Sequence, residues 1–242
     1  MFHPQGPTFL ELARQGLSST QRGYDLLAPK FDFTPFRTPD SVLGAVGEQL
    51  APVGPFARGL DLCCGTGAAM RMLRPLCREL LVGLDFSTGM LAQARHRLGL
   101  DAPHPPAGPR MALVRADTLA LPFEDAFDIV TCFGAFGHIL RRDEPRFVRG
   151  IHRALRPGGR FVFVTLPTPR VLSPTWVLGH GYNALAHLRN LLVRPPFVMF
   201  YLTFTLEPAL ALLSEAGFEV SVTTGVFPKP YQRFVVVSAR RQ

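Results

Sequence analysis

The stretch Gly59 to Gly67, G-L-D-L-C-C-G-T-G, constrains this chain more than any other. A short apolar run carries one carboxylate, Asp61, and enters a turn with glycines at Gly65 and Gly67. Ala68-Ala69-Met70 then open a helix-compatible segment that reaches Leu76. A buried strand feeding a glycine turn and then a helix reads as the first half of an open α/β sheet. Such a turn uses φ values that other residues resist, and a side chain there would hold a ligand away from the backbone. A nucleotide-like ligand is therefore expected at this turn.

A dinucleotide fingerprint, G-x-G-x-x-G, would need a third glycine at position 70, which is Met70. This counts against an NAD-linked oxidoreductase, for which no hydride-accepting site is apparent either. The second predicted strand, Leu80 to Asp85, ends in a carboxylate about 20 residues after the glycine turn, where open α/β folds place the acid that holds a ribose. An ionised carboxylate accepts from both ribose hydroxyls, so Asp85 is the first ligand-binding candidate. Ser87 caps the next predicted helix, which runs to Leu98.

Further along, a proline-rich loop from Asp101 to Pro109 is expected at the surface. A third strand, Met111 to Arg115, leads to Asp117, and a fourth spans Phe127 to Phe133. Three strands thus carry Asp61, Asp85 and Asp117 towards one edge. A helix over Glu144 to Leu155 precedes R-P-G-G, Arg156 to Gly159, read as a cap and turn into a fifth strand. Helix and strand signals at Pro208 to Ala216, Phe218 to Thr223 and Arg233 to Ala239 close the chain, the two strands suiting a hairpin with a short loop.

Four regions follow. Residues 1–57 form a helical cover, with helices expected at Thr8 to Leu17 and after an Asp40-Ser41 cap. Residues 58–166 form the ligand-binding core, 167–206 an insertion, and 207–242 the end of the core. The insertion is too long for a connection between helix and strand, so helices of its own are expected, lying over the ligand edge as a lid.

Composition narrows the class. An apolar fraction of 47% over 242 residues suits one globular domain. The net charge of +8 comes from scattered arginines, with doublets only at Arg141-Arg142 and Arg240-Arg241, so a nucleic-acid partner is not favoured. Cys63, Cys64, Cys77 and Cys132 lack zinc or disulfide spacing and read as reduced thiols; no metal is expected. The start, M-F-H-P-Q-G-P, lacks a signal-peptide pattern, which makes the cytoplasm the expected location. Arg194 and two prolines break the apolar run Leu191 to Leu206, which is expected to be buried or interfacial, with peripheral membrane contact through 191–206 as one reading.

The pattern D-L-C-C-G-T-G resembles motif I of the class I S-adenosylmethionine (SAM) dependent methyltransferases. V-G-L-D-F-S-T-G-M-L-A-Q-A-R, R-A-D-T-L-A-L-P-F-E-D-A-F-D-I-V and H-R-A-L-R-P-G-G-R-F-V-F are similar to their small-molecule branch. With the upstream Y-D-L-L-A-P-K-F-D, Tyr24 to Asp32, the chain resembles the C-methyltransferases of ubiquinone and menaquinone synthesis and their natural-product relatives. The resemblance covers roughly Tyr24 to Leu166 and the closing hairpin. It implies a doubly wound, mostly parallel seven-stranded α/β sheet, Rossmann-like, with a C-terminal antiparallel hairpin and a helical lid insertion.

The resemblance also implies SAM as cofactor and S-adenosylhomocysteine as product. Asp61 and the Gly65-Thr66-Gly67 backbone would hold the methionine part. Asp117, with the backbone around Thr118, would accept from the adenine amino group, while Phe86 and Met90 would pack on the ring. Two departures stand out: Cys63 replaces the first glycine of motif I, and Phe31 replaces the second tyrosine of the upstream motif.

Methyl transfer is an in-line displacement that depends on positioning. Tyr24 and Phe31 are placed to set aromatic faces near the sulfonium. An oxygen or carbon acceptor must lose a proton, and His138 in F-G-A-F-G-H-I is the candidate base, ahead of His180 and His187. Trp176, Tyr182, Phe197 and Tyr201 are candidates to line an apolar acceptor pocket. The function expected is methyl transfer to a small, largely apolar acceptor, by O-methylation of a natural-product intermediate or C-methylation of a quinone-like ring. Nucleic-acid methylation is disfavoured, because C-F-G-A-F-G-H follows the fourth strand where an Asn/Asp-Pro-Pro-Tyr/Phe motif would be needed. The alternative is a catalytically silent SAM-binding scaffold.

Overall fold

A computed structural model describes residues 3–102 and 107–242. Part of the proline-rich loop expected at Asp101 to Pro109 lies outside the described residues. One seven-stranded sheet organises the chain, in the order β3-β2-β1-β4-β5-β7-β6. Before it come α1 (Phe9–Gly16), α2 (Thr20–Leu27) and α3 (Asp40–Leu50). The parallel part then alternates strand and helix: β1 (Phe56–Leu62), α4 (Ala68–Leu73), β2 (Cys77–Asp85), α5 (Thr88–Arg97), β3 (Arg110–Arg115), β4 (Phe127–Cys132), α6 (Glu144–Ala154) and β5 (Leu155–Thr165). After α7 (Pro174–Leu192) and α8 (Leu206–Glu215), the strands β6 (Phe218–Thr223) and β7 (Val235–Arg241) pair antiparallel, and β7 runs antiparallel to β5.

Alternation along the strands sorts side chains into two cores. Leu60, Leu62, Val130, Phe161, Phe163 and Val237 face the helices α6 and α8, while Leu81, Ile129, Val162 and Val236 face α3, α4 and α5. Fully burying each large side chain contributes about 1.5–3 kcal/mol, so these two layers hold the sheet between its helices. Asp61 lies between Leu60 and Leu62 and therefore projects from the opposite face, level with Gly83 on β2 and Thr131 on β4.

The structure departs from the sequence reading at several local points. Helix α3 begins at Asp40 with Pro39 as its cap residue and no side-chain cap, because Asp40 is taken up by Arg37 at 2.5 Å. R-P-G-G lies within β5 as an irregularity in pairing: Leu155 already pairs with Phe127, the next pair is Ile129 with Arg160, and Gly158 takes φ +81°. The connection from β6 to β7 covers residues 224–234, longer than a tight hairpin. Its Phe227, Tyr231 and Phe234 pack back onto the second core.

The insertion holds one helix, α7, and no second. From Val193 to Thr205 the chain runs back along α7 without forming a strand. Two side-chain amides supply its missing partners. Asn190 donates to Phe197 O (3.1 Å) and accepts from Phe197 N (2.8 Å), while Asn183 does the same for Tyr201 at 2.9 and 2.8 Å. Seven residues apart on a helix, the two amides share a face. Within α7 only Gly179 is buried. Among the described residues no helix is long and apolar enough to cross a membrane.

Candidate active site

A cavity of about 470 Å³ opens at the carboxyl ends of β1, β2 and β4. The floor comes from the glycine turn. Gly65 (φ +52°) and Gly67 (φ +84°) both take left-handed backbone, and a Cβ on Gly67 would press on Leu98 at 3.1 Å. Cys63, at the position where the resemblance places glycine, is itself left-handed at φ +53°. A side chain there costs about 1–2 kcal/mol.

Asp61 is the least ordinary group in the wall. It is 1% exposed; Oδ1 accepts from Thr131 Oγ1 at 2.8 Å, and Oδ2 is buried with no partner. Burial pushes its carboxyl up to about 7, against the opposing effect of Thr131 and with help from the nearby Asp85. A buried carboxylate oxygen with nothing to accept from suits a cation or a strong donor. Asp85, the last residue of β2, is also buried; its oxygens accept from Gly65 N and Ser87 N, each at 2.9 Å. Burial raises its carboxyl too, although those backbone donors oppose the shift.

The N-terminal cover is fastened to both sides of this floor by two acids that sequence reasoning passed over. Asp25 accepts from Ser87 Oγ (2.6 Å) and Gly89 N (2.8 Å), at the start of α5. Asp32 accepts from Thr66 Oγ1 at 2.6 Å and pairs with Arg97 of α5, with Arg37 Nε at 3.6 Å. Both acids belong to the Y-D-L-L-A-P-K-F-D stretch, and their spacing was the available signal. Phe31, between them, stands 3.9 Å from where a Gly65 Cβ would be.

Also lining the cavity, Tyr24 and His138 form a hydrogen-bonded pair at 2.7 Å between the phenol oxygen and Nε2. Val198 O lies 2.6 Å from His138 Nδ1 and can only accept, so Nδ1 carries the proton and Nε2 is the acceptor for Tyr24. Burial lowers the His138 pKa despite that backbone bond, keeping the ring neutral, and burial also raises the Tyr24 phenol. Phe200 N donates to Gly137 O at 2.8 Å, so Met199, Phe200, Tyr201 and Leu202 of the insertion close this side.

Of the residues singled out from sequence, Tyr24, Asp61, Gly65, Thr66, Asp85, Phe86, Met90, His138 and Tyr201 line the one cavity. Gly67 stands just outside as the cap residue of α4. Asp117 is exposed and spends Oδ1 on its own Leu119 N at 2.8 Å; the neighbouring Thr118 hydroxyl is buried without a partner. Neither lines the cavity. Trp176 packs on His180 outside the lining, and His187, also outside it, stacks behind the lining residue Phe200. Tyr182 sits edge-on to Tyr201, and Phe197 stacks behind Tyr24. Among the described residues no His, Cys, Asp and Glu groups converge as a metal site.

Comparison with known proteins agrees with this arrangement. Residues 60–159 match the family model described as "Methyltransferase domain". The chain is similar to the 2-phytyl-1,4-naphtoquinone methyltransferase of Thermosynechococcus vestitus, 31% identical over 223 residues, covering 84% of this chain and 92% of that protein. It is also similar to the protein of the same name from Nostoc punctiforme (37% over 115 residues, 46% of each chain) and to the demethylmenaquinone methyltransferase of Thermus thermophilus (40% over 114 residues, 46% of this chain and 48% of that one). For those two, the match spans about half of the relative's length. In fold it resembles the DhpI–S-adenosylhomocysteine complex, with TM-score 0.65, 22% identity and 97% and 98% of the two chains covered. The magnesium protoporphyrin IX methyltransferase of Synechocystis with bound S-adenosylhomocysteine gives TM-score 0.60, 16% identity and 84% and 83% coverage. With a seven-stranded sheet of this order, a glycine turn at its carboxyl edge and a near full-length relative, the chain belongs to the class I SAM-dependent methyltransferases, similar to those that act on quinones.

Proposed function

We propose that this chain transfers a methyl group from SAM to a small, largely apolar acceptor of the reduced, quinone-like ring class. The observation that carries the reading is one cavity lined both by an unpartnered buried carboxylate, Asp61, and by a neutral Tyr24–His138 pair with apolar neighbours. The residues present fit SAM. Asp61 Oδ2 is suited to the methionine ammonium, the Gly65–Thr66 turn to its carboxylate, and Asp85 to the ribose hydroxyls. Phe86 and Met90 are suited to the base, with Asp117 and Thr118 outside the lining as further candidates for its rim. When bound, SAM supplies an electrophilic methyl on a sulfonium.

The chain's own groups hold the acceptor in line and handle its proton. His138 Nε2 is unprotonated and already receives the Tyr24 hydroxyl. An acceptor hydroxyl placed against the Tyr24 oxygen passes its proton to that oxygen as Tyr24 passes its own to Nε2, which leaves the ring activated and the charge on His138. The names of the relatives favour a naphthoquinone-type ring; attack from carbon is what the resemblance to quinone C-methyltransferases implies.

The test is transfer of labelled methyl from SAM to reduced naphthoquinones, with simple phenols as controls. Tyr24→Phe and His138→Ala are expected to lower kcat about a hundredfold with little change in S-adenosylhomocysteine affinity. In the wild type the rate should fall as pH drops through the depressed His138 pKa. Transfer to none of these acceptors by protein that binds S-adenosylhomocysteine would favour the silent scaffold.

A further inference from the structure

Helix α7 is an anomaly in burial: its side chains are mostly apolar, yet it turns them outward. Leu178, Leu185, Leu188, Leu191 and Leu192 are all exposed, between 51% and 74%. Of the apolar run 191–206, only Leu191, Leu192 and Tyr201 remain at the surface as large exposed side chains, while Phe197 and Phe204 are buried. The outward surface therefore belongs to the helix rather than to the run that follows it. At the end of α7, Arg189 donates to Ser18 O at 3.1 Å, joining the helix to the α1–α2 corner, where Leu17 is 59% exposed. Exposed apolar surface of this extent marks a contact site.

The charge on the insertion itself has one sign, although Glu11 of α1, paired with Lys30, and Glu207, bonded to Thr168 N at 2.8 Å, lie nearby. Residues 167–206 contain no Asp or Glu but include Arg170, Arg189 and Arg194. Arg14, Arg22, Arg170 and Arg194 are exposed and make no ion pair among the described residues. A two-fold copy packed on this face would bring these arginines together, whereas an anionic lipid surface neutralises them and takes the leucines. We propose that the outer face of α7 and the adjoining α1–α2 corner dock this protein on an anionic bilayer. This rests on the apolar-acceptor reading for its purpose: Met199 to Leu202 follow α7 in the chain and wall the cavity, so a lipid-dissolved acceptor would meet the site at that surface.

The full chain is sedimented with vesicles of phosphatidylcholine alone and of phosphatidylcholine mixed with phosphatidylglycerol. Pelleting with the mixed vesicles is expected, weakened by salt and lowered about tenfold by Leu185→Glu, Leu188→Glu and Leu191→Glu combined. Arg170→Glu with Arg194→Glu, which leaves the leucines intact, should lower it to that on neutral vesicles. Calorimetric binding of S-adenosylhomocysteine, expected unchanged in both variants, verifies their folding. No pelleting of the wild type with the mixed vesicles would overturn the proposal, as would a wild-type dimer that the leucine variant makes monomeric. Vesicle binding without methyl transfer to any quinol would support the docking surface and reject the acceptor reading.

Discussion

At one end of the cavity Asp61 and Asp85 sit on adjacent parallel strands, where pairing of Asp61 with Gly83 and Thr131 and of Asp85 with Arg115 fixes each position along the edge. At the other end Phe200 and Tyr201 sit on a segment that pairs with no strand and is held by isolated bonds: from the amides of Asn183 and Asn190, from Phe200 N to Gly137 O, and between Val198 and both His138 and Thr20. A ladder places a side chain through many backbone bonds, so one lost contact is absorbed by its neighbours. A segment held by a few scattered bonds depends more on each of them. The end at Asp61 and Asp85 is therefore expected to be tolerant in its scaffold and sensitive in its acids, and the end at Phe200 and Tyr201 the reverse.

The largest effect should come from an acid at the rigid end. Charge-assisted hydrogen bonds contribute about 1.5–3 kcal/mol each, so Asp85→Ala is expected to weaken S-adenosylhomocysteine about a hundredfold by calorimetry while the sheet stays folded. Unchanged affinity would remove the ribose from Asp85 and break the comparison at its firmer side.

A smaller effect belongs to the other end. Asn190→Ala leaves Phe197 N and O without their partner, a loss of about 1–3 kcal/mol. The acceptor KM should rise about tenfold while S-adenosylhomocysteine affinity stays within about twofold. A fall in both affinities together would mean that the two ends are one mechanical unit.

The smallest effect is a proton. Burial raises Asp61 from 3.8 to about 7, so the folded, ligand-free protein holds a proton that the unfolded chain releases. Its contribution to ligand-free stability is present below about pH 4 and is lost as pH rises towards about 7. A bound ammonium reverses the preference. Affinity for S-adenosylhomocysteine should therefore rise towards about pH 7 and level off, with release of up to about one proton seen by calorimetry in buffers of different ionisation enthalpy. A flat profile would take the ammonium away from Asp61.

The two ends also differed in what the sequence disclosed. Asp61, the glycine turn and Asp85 were legible because short apolar runs followed by a turn admit little besides parallel strands, and strand ends align on one edge. The grouping of Tyr24 with His138 was not legible, since the two stand 114 positions apart and meet only through the fold of the chain between them. The insertion showed its length and apolar character but not its single helix, because Asn183 and Asn190 look like ordinary surface residues until the returning segment is in place. Asp25 and Asp32 were hidden for another reason: they bind the cover to the core, and nothing local announces a distant partner.

The bond from Thr66 to Asp32 joins the floor of the cavity to its cover. Arg97 and Arg37 brace the same carboxylate, so the joint closes a loop of chain around one rim of the site. A product seated below that rim would leave as the rim opens, and its residence time would then report how often Asp32 lets go. In enzymes whose turnover is limited by release, such a joint sets the rate while lying outside the atoms that react.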